Sequence, residues 1–436
     1  MKRYLKNKRV LKECRIYQML KTNAKKPHSS FHTPGHKVGK WDITELSFSD
    51  NLSAPKGCIL QAEREISALL RSQKSFILTD GSTSGVLAML YTAKRIGVKK
   101  IASAEATHKS FFNGCALLGL TPLLFPSVTM ENVRFDTLYQ KHKDLFEQAD
   151  AVFLTSPDYY GNIADLQAFQ AFCQEKKKLL IIDGAHGGHL RFDENLHASA
   201  YADLWVDGVH KSLPAFTQGA VVSAKTKETA EILRSAVDIF RTTSPSYPIM
   251  ASVEYAVKYP QNQALEKAVA KWKKSFPNRI YQNKDWTKLC CLFGERAFDV
   301  ENYLQERGIY PEFCDGNVIM FYLSPALSLR RFIRLTRVLE KLFVKFPLGK
   351  NEGGRYALNG EETKNEPTMS ELKDTEWIDL DEANGRICAL SCGLFPPCTP
   401  LLQVGEKISE EKLSLIKKAD NVFGIFEDKI CVFKEE

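Results

Sequence analysis

Long apolar runs are missing from this sequence. Across its 436 residues no uninterrupted hydrophobic stretch approaches the ~20 residues a bilayer span requires, so a membrane-spanning chain is not expected. The basic N-terminus, Met1 to Lys8, lacks the apolar segment of a secretory leader, and a cytoplasmic protein is the expectation. Disulfide spacing is absent too. The eleven cysteines are an odd number, Cys115 and Cys431 sit within apolar runs, and adjacent Cys290 and Cys291 could not easily bridge each other; a reducing compartment fits. Neither a Walker A loop nor a GxGxxG fingerprint occurs, which disfavours a nucleotide cofactor. Zinc-finger spacing and aromatic-interleaved basic motifs are also lacking. Residues 1–27 hold ten Lys/Arg against one Glu, but the net charge of +8 is spread over a chain with 52 acidic residues. Nucleic-acid binding is therefore not expected, and the basic arm reads as solvated helix and dimer-contact surface. No internal repeat is found.

What is present is ordinary globular composition, 44% apolar and 26% charged, in a chain long enough for more than one core. Near-helical spacing of Val10, Leu11, Ile16, Tyr17 and Leu20 predicts one helix over 8–22. A loop follows through Phe31-His32-Thr33-Pro34-Gly35-His36, where proline and glycine exclude an i, i+4 zinc pair of histidines. From residue 75 strands and helices alternate. Apolar runs at 75–79, 101–104, 122–125, 151–154, 179–182, 205–206 and 220–223 read as buried strands, with helices at 86–95 and 109–118. Such alternation predicts a mostly parallel α/β sheet covered on both faces, with ligands beyond the carboxyl ends of its strands. Helices are expected through 254–275. An α+β pattern follows, with helix 297–307, a strand pair near 310–313 and 318–322, and helix 328–344. The expected organisation is an N-terminal helical arm (1–30), a large domain (31–275) and a C-terminal α+β domain (276–436), with a mobile loop over 348–370.

The chemistry-bearing residues fall at strand ends. Trp205-Val206-Asp207-Gly208-Val209-His210-Lys211-Ser212 carries a lysine directly after an apolar run. A buried lysine loses enough basicity to attack a carbonyl. Asp183, ending another apolar run, is the carboxylate a protonated pyridine nitrogen needs. Lysine and aspartate together are the minimum constellation for pyridoxal 5'-phosphate (PLP). Asp80-Gly81-Ser82-Thr83-Ser84-Gly85 joins a strand to a helix and reads as a phosphate cradle, with a simple helix cap as the alternative. His108 could stack on a flat ring or serve as a structural histidine. Asp183, His186 and His189 could instead form a metal site, though no Cys or Glu lies nearby at ligand spacing, and no metal is expected.

Taken in order over most of residues 30–410, these segments resemble the Orn/Lys/Arg decarboxylase family. The resemblance rests on Phe31 to Gly39, Gly81 to Gly85, His108-Lys109-Ser110, Pro157-Asp158-Tyr159-Tyr160-Gly161, Asp183 to His186 and His210 to Gly219. It continues in Thr243-Ser244-Pro245-Ser246-Tyr247, Gly385-Arg386-Ile387 and Phe395-Pro396-Pro397. It implies the aspartate aminotransferase-like fold type I, with a mostly parallel seven-stranded large domain and a smaller C-terminal α+β domain, in the short form without an N-terminal wing. It also implies a homodimer or higher homo-oligomer, and a place in polyamine biosynthesis. Carried over by position, Lys211 binds the PLP aldehyde, Asp183 pairs with the pyridine nitrogen and His108 stacks on the ring. Ser82, Thr83 and His210 hold the phosphate, His186 positions substrate or cofactor, and Ser244 lies near cofactor and dimer interface. Asp50 is the candidate for receiving a basic substrate's distal cation, with a turn or cap role as the alternative. Gly208 replaces a hydroxyl residue, Gly184 a glutamate, Leu390 an acidic residue and Cys398 a glycine of the family pattern. The implied activity is decarboxylation of arginine, lysine or ornithine. An aminotransferase or other PLP lyase is the alternative, with Arg386 as the only candidate carboxylate clamp near the C-terminus, and a non-catalytic binding protein is a third reading.

Overall fold

The computed structural model describes residues 4–27, 29–126, 133–348, 374–394, 400–418 and 421–434. The apolar runs form β1 (Lys74–Leu78), β2 (Lys100–Ala104), β3 (Thr121–Phe125), β4 (Ala151–Thr155), β5 (Leu179–Gly184), β6 (Leu204–Asp207) and β7 (Ala220–Ala224). They make one seven-stranded sheet in the order β1-β7-β6-β5-β4-β2-β3. Strands β2 to β6 are parallel, and β7 runs antiparallel to both β6 and β1. The mostly parallel α/β architecture expected from the alternation is thus present. Successive residues enter opposite cores, as strand geometry requires: Leu180 and Ile182 face one layer of helices and Ile181 the other. The ends of β1, β2, β4, β5 and β6 and the start of β7 share one edge, so the loops after them meet there.

The helix expected over 8–22 is two helices, Lys8–Glu13 and Arg15–Asn23, with extended backbone at Cys14. The cause is distant in sequence. The Glu254 carboxylate accepts the Arg15 and Ile16 N–H groups at 2.6 and 2.9 Å, capping the second helix at its first turn. Lys258 holds the same carboxylate at 2.7 Å.

A second core is built from the helix Gln263–Ser275, the antiparallel strands β8 (Lys288–Leu292), β9 (Phe313–Cys314) and β10 (Val318–Tyr322), and the helices Ala297–Gln305 and Leu329–Lys345. Leu265 and Val269 belong to this core. A further cluster around Leu380, Cys392, Leu402, Leu413 and Val432 joins two small three-stranded sheets. We propose from this packing that the second domain begins near Gln263, earlier than the boundary at residue 276. We propose likewise that residues 374–434 form a separately packed unit. The expected 348–370 loop lies outside the described residues from 349 onward.

Glu254 is fully buried, so removing its lysine would strand a charge in the interior. Lys258→Met should cost about 3–5 kcal/mol. The check is a lowered denaturant midpoint with an unchanged slope in equilibrium unfolding.

Candidate active site

Two backbone approaches shape the site. A side chain on Gly184 would lie 2.9 Å from the Val206 carbonyl oxygen, and one on Gly208 would lie 2.4 Å from the Ala185 carbonyl oxygen. The turn after β5 and the turn after β6 therefore touch through bare backbone. That contact brings Asp183, His186, His210 and Lys211 to the same place. The Lys211 Nζ lies 3.1 Å from His186 Nε2. Asp183 is buried, accepts the Ala185 N–H at 3.0 Å, and interacts electrostatically with Lys211.

Burial raises the Asp183 carboxyl, and the Lys211 cation opposes the rise. The histidines respond in the other direction. His186 falls well below the ordinary imidazole value, through burial first and then the Lys211, Lys288, His108 and His210 charges. His108 is lowered to about 4 by burial, Lys211 and Lys109. Both rings are neutral at pH 7. His186 Nε2 then accepts from the Lys211 ammonium, which assigns its proton to Nδ1.

His108 begins the helix Lys109–Leu118. Its Nδ1 accepts the Ser110 N–H at 3.2 Å and lies 2.8 Å from Ser110 Oγ. The structural role weighed for it is therefore real, and the cap also fixes the ring beside the Lys211 charge. His210 Nδ1–H donates to the Gly219 carbonyl at 2.9 Å, leaving Nε2. Burial lowers this ring too. Nε2 donates to a phosphate only when protonated, a state the anion itself favours.

Ser82 and Thr83 occupy the first turn of the helix Gly81–Ile96, which has no side-chain cap. Gly81, in the left-handed region at φ 80°, donates to the Gln218 carbonyl at 2.8 Å, and the His210 N–H donates to Gly219. The uncapped turn is thereby tied to the strand start beside Lys211. Asp80 accepts the Thr242 N–H at 3.3 Å rather than capping its own helix. Thr242 Oγ1 accepts the Ser244 N–H, and Ser244 is exposed. Ser244 thus reaches the cradle through Thr242 and Asp80, with no bond to Lys211 or Asp183.

Asp50 takes the turn-and-cap role. One oxygen accepts the Asn51 and Lys56 N–H groups and the other those of Gly57 and Ile59, at the start of the helix Cys58–Leu69. Its carboxylate is thus engaged by its own loop, which favours the turn-and-cap alternative over receipt of a substrate cation. The metal alternative required Asp183, His186 and His189 to converge. Instead His186 meets Lys211, while His189 Nε2 binds Asp285 at 2.8 Å. Arg386, the possible clamp of an aminotransferase, is bound to Glu376 at 2.6 Å and to the Phe433 carbonyl at 3.0 Å. Leu390 is exposed. Phe395 to Cys398 lie outside the described residues.

Three site residues escaped the sequence reading. Tyr159 packs edge-on to His186 at 4.7 Å. Tyr322, ending β10, stacks on His186 and donates to its carbonyl at 3.3 Å. Glu312 accepts from the Tyr159 hydroxyl at 3.0 Å and acts electrostatically on His210 and Tyr322. Tyr159 lies inside a motif already singled out. Tyr322 and Glu312 lie on the expected strand pair, and only its docking on the large domain aims them here.

The donor set fits PLP: an amine beside a buried carboxylate, neutral imidazoles, and an uncapped helix start for phosphate. With the seven-stranded sheet, it defines a fold-type I PLP-dependent enzyme. Residues 38–275 match the family described as Orn/Lys/Arg decarboxylase, major domain, and the chain belongs to that family of PLP-dependent decarboxylases. It is 28% identical to the uncharacterized protein YaaO of Bacillus subtilis (strain 168), over 97% of this chain and 98% of that one. It is 26% identical to an arginine decarboxylase of the same organism, over 93% of each. Among solved structures, the lysine decarboxylase LdcF of Francisella novicida shares the fold at a TM-score of 0.76 and 18% identity, covering 97% of this chain and 81% of that one.

Gly208 now has a physical reason. The Ala185 oxygen occupies the space a side chain would need, and backbone cannot yield as a flexible side chain can. Gly208→Ser, which restores the family's hydroxyl, should destabilise the protein by about 1–3 kcal/mol through overpacking. A lowered thermal midpoint with weaker cofactor retention checks it.

Proposed function

We propose that this enzyme decarboxylates a basic amino acid, with arginine the first candidate and lysine and ornithine beside it. In this reading Lys211 is the attachment point of PLP, and Asp183 is the partner of its ring nitrogen. The observation that carries it is the Lys211 amine held 3.1 Å from a neutral, buried His186, with the buried Asp183 carboxylate within its field. Bound PLP supplies an electron sink for the charge left at Cα when CO₂ departs.

The chain's own groups do the rest. Burial raises the Asp183 carboxyl and the Lys211 cation opposes that rise, and the carboxylate would pair with the protonated ring nitrogen of bound PLP. With PLP bound, the Lys211 amine would be the proton donor to Cα, and His186 Nε2 would hold that amine in place. His108 offers a flat neutral face, with its orientation fixed by the helix cap. Ser82, Thr83 and the uncapped N–H groups of their turn receive the phosphate, with His210 at its side. The preference for a basic substrate is supported by Glu312. Its carboxylate is oriented by the Tyr159 hydroxyl near His210, and a guanidinium or ammonium at the substrate's far end would find its counter-charge there. The relative named arginine decarboxylase in Bacillus subtilis supports arginine as the first substrate to test.

The same reading takes the enzyme to be a cytoplasmic homodimer. Phe31, Val38 and Phe48 are exposed on the segment preceding the helix Cys58–Leu69, and a second copy of the chain is their proposed cover.

Purified wild type should show the visible absorption of lysine-bound PLP and release CO₂ from one of arginine, lysine or ornithine when the three are assayed in parallel. Lys211→Ala should be colourless and inactive. Product formed only when a 2-oxo acid is added would move the assignment to an aminotransferase. Glu312→Gln should raise KM for the basic substrate about ten- to a hundredfold, the worth of one hydrogen bond to a charged group, with kcat little changed. An unchanged KM would remove Glu312 from substrate recognition.

A further inference from the structure

The second domain holds a buried charged cluster that the proposed reaction does not use. Asp285 and Lys288 both have fully buried side chains, with Lys288 Nζ 3.1 Å from Asp285 Oδ2. The other Asp285 oxygen accepts the Thr287 N–H at 2.8 Å and the Thr287 hydroxyl at 2.7 Å, and meets His189 Nε2 of the large domain at 2.8 Å. The aspartate is thereby saturated and held well below the usual carboxylate range, chiefly by the His189 and Lys288 charges working against burial. A second tie crosses between the domains, where the Asp285 N–H donates to the Gly161 carbonyl at 3.2 Å.

Lys288 and Tyr322 are direct partners across the antiparallel strands β8 and β10. The register sets the Lys288 ammonium 3.7 Å from the centre of the Tyr322 ring. A desolvated cation over an aromatic face at this distance is attracted by the ring's negative face strongly enough to fix the ring. The Tyr322 hydroxyl then sits 3.4 Å from His186 Nδ1 and donates to the His186 carbonyl at 3.3 Å. The opposite nitrogen of the same imidazole meets Lys211. One unbroken path thus runs from Asp285 through Lys288, Tyr322 and His186 to the Lys211 amine.

We propose that Lys288 is a positioning residue for the reaction: clamped by Asp285, it locks the Tyr322 ring so that the tyrosine hydroxyl fixes His186 against Lys211. This deepens the reading of Lys211 as the PLP-bearing lysine and rests on it. The geometry has a functional sense. A misplacement of about 1 Å at a reacting group costs on the order of a hundredfold in rate, and His186 Nε2 lies within hydrogen-bond distance of Lys211 Nζ. Tyr322 meets that residue at Nδ1 and the carbonyl, and the amine meets Nε2, so it orients His186 without competing for the lysine.

The charges acting on His186 are Lys211 and His210 from the turn after β6, His108 from the turn after β2, and Lys288 from β8. Each opposes its protonation. Removing Lys288 alone should let the His186 pKa rise, so any acid-side fall in kcat that reflects His186 protonation moves to higher pH.

The experiment compares wild type, Lys288→Met, Lys288→Arg and Tyr322→Phe as PLP-loaded enzymes, measuring bound cofactor, kcat, KM and the pH profile of kcat. Lys288→Met should retain PLP and a KM within about twofold of wild type, lose about ten- to a hundredfold in kcat, and shift the acid limb of the profile upward. Lys288→Arg should recover most of the loss by restoring a cation over the ring. Tyr322→Phe keeps both the ring and the buried pair, so it decides the matter alone if Lys288→Met does not fold; it should lower kcat with KM unchanged. Unchanged kcat in Tyr322→Phe, or a Lys288→Met defect that appears only as lost stability with an unmoved pH profile, would overturn the assignment of Lys288 while leaving Lys211 in its role. A wild-type protein that binds no PLP through Lys211 would overturn both.

Discussion

One half-buried cation sets the electrostatics of the site. The Lys211 amine sits among His108, His186 and His210, and each imidazole is pushed toward its neutral form by burial and by that charge. The same charge works the opposite way on Asp183, whose carboxyl is raised by burial and only partly countered by Lys211. A single position therefore favours neutral ring acceptors and opposes the rise of the one buried carboxyl beside it, without any metal ligand cluster among the described residues. That division suits PLP: the ring nitrogen needs an anion, while the space around the lysine needs groups that neither carry charge nor compete for the aldehyde.

Holding such a cation in place depends on backbone contact more than on side chains. The Lys211 turn leans on the Asp183 turn through Gly208 and Ala185, and the Asp183 turn leans on β6 through Gly184. Gly85 does the same for the phosphate-side helix, where an added side chain would run into Val206. Close approach at these points lets the turns after β1, β5 and β6 present their ends to one small volume. The glycine at 208, which read as a departure from the family pattern, is the tightest of these contacts. With the turns so close, the proposed phosphate ligands are Ser82, Thr83, the N–H groups of their uncapped turn and His210.

Much of this was legible in the chain. The seven strands appear as short apolar runs because both faces of a parallel sheet are buried, and the lysine, aspartate and glycine-rich turns follow directly from their ends. What failed to read depended on partners far away in sequence. The break at Cys14 is imposed by Glu254, which no periodicity near residue 14 announces. Asp50 looked available for substrate, yet four N–H groups from its own following loop claim it. Strand β8 was missed because it opens with a lysine, a residue that usually marks a surface, and this one is wholly buried because Asp285 and the Tyr322 ring receive it.

The two domains contribute different things to the site. The large domain supplies the Lys211 amine, the Asp183 carboxylate, the capping His108 and the uncapped turn of Ser82 and Thr83, and the family match at residues 38–275 falls almost entirely within it. Glu312, Tyr322, Asp285 and Lys288 all lie beyond that match. Cofactor chemistry is therefore tied to the part of the chain that membership in the family describes, whereas the proposed recognition of the substrate's far end and the bracing of His186 come from the other part. These two functions also differ physically. Recognition rests on an exposed carboxylate, which solvent screens and a single substitution can retune. The brace rests on a saturated, buried ion pair, where losing one partner leaves an uncompensated charge. A fold built this way can change its substrate by altering Glu312 and its neighbours, while the orientation of the imidazole against Lys211 stays fixed by the interior of the second domain.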